Sequence, residues 1–65
     1  MRAYAYKVSK EFDSTLEEKI KLINTFDVED LHYVLREFEE HPKDYEKAVI
    51  IEVINRLFEN GVTSI

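Results

Sequence analysis

Pro42-Lys43-Asp44-Tyr45-Glu46-Lys47-Ala48-Val49-Ile50-Ile51-Glu52-Val53-Ile54-Asn55-Arg56-Leu57-Phe58-Glu59-Asn60-Gly61 is the stretch on which the fold turns. Taken alone, Ala48 to Ile54 is rich in β-branched residues and reads as a buried strand. Its flanks argue for a helix. Pro42 suits a first helical turn, Asp44 and Glu46 place acids near the helix start, and Gly61 after Asn60 suits a left-handed stop. The roughly 18 residues between proline and glycine exceed the usual length of a strand. Projected at about 100° per residue, Val49, Val53, Leu57, Ile50, Ile54, Phe58 and Ile51 follow one another around an arc of roughly 200°. Asn55, Glu59, Glu52 and Arg56 fill the remaining side. That arc is about twice the apolar stripe of an ordinary surface helix. Two flanking helices would cover it, with this helix central in a three-helix unit. The sharper alternative leaves Ile51 and Phe58, at one edge of the arc, facing another chain.

Two further helices precede it. Asp27 is placed to cap a helix by accepting an amide hydrogen of Glu29 or Asp30, and Leu31, Val34, Leu35 and Phe38 then recur on one face. Pro42 disfavours the helical conformation in the residue before it, so this helix ends near Glu40 or His41. Further upstream, Ser14-Thr15-Leu16-Glu17 fits a capping box with Ser14 as the cap, and Leu16, Ile20 and Ile23 follow at helical spacing. At the start of the chain Tyr4, Tyr6 and Val8 alternate with Ala3, Ala5 and Lys7, a period of two that suits a strand. The expected fold is all-α: three helices at about 15–25, 28–40 and 43–60, with residues 1–12 as a basic extended arm or strand, in one small domain.

Composition narrows the classes. The 65 residues hold no cysteine, one glycine and one proline. A disulfide framework and a thiolate zinc cage are therefore excluded, and a glycine-rich phosphate loop cannot be built. Hydrophobic residues at 45% against charged residues at 35% fit a folded chain and not a disordered one. The formal charge of −5 is unevenly spread: the first ten residues carry Arg2, Lys7 and Lys10 and no acid, so +3 precedes −8. The longest apolar run is Ala48-Val49-Ile50-Ile51, far short of the roughly 18 residues a membrane span requires. The opening residues lack the apolar core of a signal peptide, and a cytoplasmic location is the expectation.

Nothing in the sequence assembles a catalytic centre, and the expectation is a protein that is not an enzyme. Nucleophilic catalysis needs a hydroxyl or thiol beside an oriented base. His32 and His41 are nine positions apart, a spacing that fits no helical metal pair, and no cofactor or metal is expected. The carboxylate pairs Glu17-Glu18, Glu29-Asp30 and Glu39-Glu40 are adjacent in sequence, so on a helix their side chains diverge and do not converge on one atom.

The remaining classes act by binding. A basic strand followed by two amphipathic helices resembles the order of ribbon-helix-helix repressors and antitoxins. That likeness implies a dimer whose paired strands enter the major groove, with Arg2, Tyr4, Tyr6 and Lys7 as the nucleic-acid-binding residues. Asn24-Thr25-Phe26-Asp27 stands where that family has a short glycine-containing turn, the last helix is extra, and the acidic body opposes phosphate. A further alternative is an acidic DNA mimic. Asp44-Tyr45-x-x-Ala48-Val49-x-x-Glu52-Val53-x-x-Arg56 is similar to the second helix of helical-hairpin inhibitors of sporulation histidine kinases. It covers about a fifth of the chain, in a spacing that any amphipathic helix opening on an acid meets. The leading expectation is a regulatory or inhibitory protein that occupies a partner protein, or a second copy of itself, through Ile51, Phe58, Glu52, Glu59 and Tyr33.

Overall fold

The computed structural model describes residues 3–62, with side chains from Ala5 onward. Its elements are α1 (Ala3–Lys7), α2 (Leu16–Ile23), α3 (Val28–Glu40), a 3-10 turn (Pro42–Asp44) and α4 (Lys47–Glu59). The fold is all-α, and no strand occurs among the described residues. Both α2 and α3 pack on α4, while α1 and the 3-10 turn pack on α3. Among the described residues no helix is long and apolar enough to cross a membrane.

The longest helices start and stop where the chemistry of their ends dictates. In α2 the amide of Glu18 donates to Thr15 Oγ1 at 3.1 Å and the amide of Thr15 donates to Glu18 Oε1 at 2.9 Å. The capping box is therefore one residue later than Ser14 and Glu17 suggested. Both registers satisfy the Ser/Thr-x-x-Glu pattern, so the pattern cannot choose between them. The buried face of α2 also differs from the expected one. Leu16, expected inside, is 39% exposed, whereas Lys19 is 4% exposed and Ile23 is sealed. Asp27 caps α3 by accepting the Asp30 amide at 2.8 Å. At the far end of α4, Gly61 takes φ +88°, the Val62 amide donates to the Leu57 carbonyl and the Gly61 amide to the Phe58 carbonyl, both at 3.0 Å. This pair of bonds satisfies the last carbonyls of the helix and lays Val62 against the core.

Two expectations are corrected. Residues 3–7 are helical and not extended. Ala5 and Val8, three apart, are both buried, and the Val8 amide bonds the Ala5 carbonyl at 3.3 Å. A lone strand would leave its amides unpaired, whereas a helical turn satisfies part of them within the segment, and alanine favours it. The last helix starts at Lys47 and not at residue 43. Tyr45 and Glu46 adopt extended backbone between the 3-10 turn and α4, and Tyr45 is buried in the core.

The core gathers residues from every helix. Ile23, Leu31, Val34, Val49, Val53 and Leu57 are fully enclosed, joined by Ala5, Val8, Phe26, Leu35, Tyr45 and Ile50. Leu57→Ala should cost about 3 kcal/mol, because the methyl groups lost lie where α4 has no solvent exposure. Thr15→Ala should cost about 1 kcal/mol through the lost amide cap of α2. Urea unfolding of the two variants checks both values and their order.

Candidate functional site

Burial divides α4 lengthwise. Val49, Ile50, Val53 and Leu57 face the core, and Ile54 is half-buried at its margin. Ile51 is 58% exposed and Phe58 is 52% exposed. They are seven positions apart, which puts them two turns from each other on one face. Ile51, Ile54 and Phe58 thus form a short apolar stripe along the outer side of the helix. The inner neighbours α2 and α3 take up the first half of the apolar arc and leave this edge uncovered.

Glu52 and Glu59 flank the stripe on the side away from Ile54. Glu59 accepts from Arg56 Nη1 at 2.7 Å, an exposed pair one turn apart that offsets part of its charge. Arg56 Nε is buried without a hydrogen-bond partner among the described residues. Glu52 is half-buried. Tyr33, the fifth expected residue, belongs to α3 and is half-buried against the core. Its phenol adds weakly to the electrostatic environment of the Tyr45 hydroxyl. Four of the five expected partner-binding residues therefore share α4, and the fifth sits on a neighbouring helix.

The residues of the nucleic-acid alternative are placed less completely. Arg2 lies outside the described residues, and Tyr4 is in helical backbone, its side chain lying outside what the structure describes. Tyr6 and Lys7 are exposed on α1, and the Tyr6 ring meets Phe12 edge-on at 5.6 Å. Helical backbone over Ala3–Lys7 does not present these residues as the extended ribbon that the strand reading required.

One cleft, of about 230 Å³, gathers several titratable side chains. Glu11, Glu37, His41 and Asp44 border it, with Ser9 and Tyr45. The Ser9 hydroxyl donates to the Tyr6 carbonyl at 2.7 Å, so its proton is committed to backbone. Among the described residues no group of three histidine, aspartate or glutamate side chains is arranged to hold a metal. Burial of Tyr45, reinforced by the nearby Glu37 and Asp44 carboxylates, pushes its hydroxyl from 10.0 up to about 12. In α2 the Thr15 amide and hydroxyl hold the Glu18 carboxylate below its ordinary value.

Compared with known proteins, the chain matches no family model, no curated protein and no solved structure.

Two signals were missed in the sequence. Lys19 is buried although nothing in the local sequence marks it as inward, because its burial depends on how α2 packs on α4. The Tyr45 environment needs Glu37 and Asp44 brought together from separate elements. The raised hydroxyl has a measurable consequence. The folded state keeps Tyr45 protonated where the unfolded chain releases that proton, so this contribution is intact below pH 10 and lost as pH rises toward about 12. Ultraviolet titration of wild type against Tyr45→Phe should assign to Tyr45 an ionisation near pH 12. Tyr45→Phe should flatten the loss of stability across the same interval.

Proposed function

We propose that this chain is a non-enzymatic regulatory or inhibitory protein of the cytoplasm that acts by occupying the surface of a partner protein. The outer stripe of α4 is the contact. The observation that carries this reading is the exposure of Ile51 and Phe58 on one face of a helix whose other face builds the core. Large apolar side chains scattered singly on a surface need no explanation, but an isoleucine and a phenylalanine aligned with Ile54 form a continuous anchor. A small helical protein offers little enclosed volume for a substrate, whereas a helix face of this kind suits insertion into an apolar groove.

Electrostatics supports a basic partner. The net charge of −5 and the flanking Glu52 and Glu59 favour a surface bearing lysine or arginine around an apolar depression. Long-range attraction would speed the encounter, and desolvation of Ile51 and Phe58 would supply most of the affinity. A second copy of this chain is a poorer fit, since two bodies of the same sign repel.

Affinity capture from the native host, with wild type and the Ile51→Ser/Phe58→Ser double variant side by side, tests the reading. The double variant should keep the stability of the wild type within about 0.5 kcal/mol, because both side chains are largely in solvent. It should retain at least about tenfold less of a specific bound protein. Equal recovery by both forms contradicts the proposal. Salt-sensitive binding to duplex DNA that is lost on Arg2→Ala and Lys7→Ala would favour the nucleic-acid alternative instead.

A further inference from the structure

Beside the 3-10 turn of this acidic protein three lysines are gathered. Lys10, Lys43 and Lys47 border a single groove of about 510 Å³. They come from three segments that the fold ties together. The Lys10 amide donates to the Asp44 carbonyl at 2.7 Å, which pins the end of the N-terminal segment to the 3-10 turn. The Asp44 amide closes that turn on the His41 carbonyl at 3.0 Å. Two extended residues then deliver Lys47 as the first residue of α4.

The wall of the groove is apolar. Phe38 from the last part of α3, Pro42 and Tyr45 line it between the lysines. All three lysines are exposed, and among the described residues none of them is engaged in an ion pair. Glu46 is the one acid on the lining, so the lining residues sum to +2, while Glu37 and Asp44, whose carboxylates act on Tyr45, border the neighbouring cleft. Cations held around an apolar floor match an occupant that alternates carboxylates with a large apolar side chain.

We propose that this groove binds an acidic peptide segment of another protein, with an aromatic or large aliphatic residue seated against Phe38, Pro42 and Tyr45 and its flanking carboxylates paired to Lys10, Lys43 and Lys47. A short peptide can span the three exposed lysines without leaving the groove, and charges further away than about 8–10 Å are screened at physiological salt. A nucleic acid extends past the groove onto acidic surface, including the exposed Glu39 and Glu40 at the end of α3, and is disfavoured there. The residues concerned are distinct from the Ile51 and Phe58 stripe, although Lys47 precedes Ile51 by one turn on α4 and the two surfaces adjoin.

Fluorescence anisotropy at near-physiological salt tests the assignment. The probe is a short fluorescein-labelled peptide of glutamates around one phenylalanine. Its controls replace the phenylalanine by alanine, or the glutamates by lysines, and a labelled single-stranded oligonucleotide is run in parallel. Wild type should bind the probe saturably, one peptide per chain, and more tightly than any control. Lys10→Gln, Lys43→Gln and Lys47→Gln should each weaken binding by about two- to fivefold. The triple Lys10→Glu/Lys43→Glu/Lys47→Glu variant, its helix content verified by circular dichroism, should lose it. Ile51→Ser/Phe58→Ser should bind the probe as wild type does, which separates this groove from the outer face of α4. The proposal is overturned by absence of saturable binding to wild type, by affinity unchanged in the triple variant, or by an oligonucleotide that binds as tightly as the peptide. Self-association that displaces the probe would also overturn it.

Discussion

Val49, Val53 and Leu57 have no solvent exposure, and α2 and α3 both pack on the helix that carries them. Every other part of the structure is arranged around that buried face. A chain of 65 residues has no second layer to fall back on, and a domain of this size buries only about 60% of the surface its unfolded form exposes. The inner stripe of α4 is therefore where most of the apolar gain must be made. The capping box of α2, the Asp27 cap of α3 and the Gly61 stop after α4 limit the cost of ending the flanking helices. Ala5 and Val8 bring the N-terminal segment onto the same core, and Tyr45 seals it beside the 3-10 turn.

The outer stripe follows from the width of the apolar arc. In this structure α2 and α3 cover only part of the roughly 200° arc and leave one edge of it exposed. Ile51 and Phe58 are that edge. Beside the start of the same helix the surface changes character to a lysine-bordered groove, brought together by the backbone bond from Lys10 to Asp44. The chain thus offers an apolar face with acidic flanks adjoining a basic groove with an apolar floor.

Much of this was legible in the sequence because the dominant signals are local. Asp27 and the spacing of Leu31, Val34 and Leu35 were enough to place α3, and the wheel of α4 singled out Ile51 and Phe58. What was not legible depends on choices between equal local patterns or on distant contacts. Ser14 and Thr15 each complete a capping box, so the pattern alone does not select Thr15, and the spacing of Leu16, Ile20 and Ile23 does not show that Lys19 is buried and Leu16 exposed. Residues 3–8 satisfy a period of two through Tyr4, Tyr6 and Val8, and a helical period through Ala5 and Val8. The second wins because α3 offers a surface for that pair, whereas no strand is present among the described residues to pair with the first. The lysine groove could not be read at all, since Lys10 and Lys43 meet only after the chain has folded back.

The central claim is that α4 is split between a face that builds the core and a face left to solvent. Methyl NMR with a soluble paramagnetic agent measures that division directly, residue by residue and at low protein concentration. The account predicts strong relaxation of the Ile51 methyls, with Ile23 and Ile50 protected and Ile54 between them. Protection of Ile51 equal to that of Ile50 would contradict it, because the outer edge of the helix would then already be covered within the chain or by another copy of it.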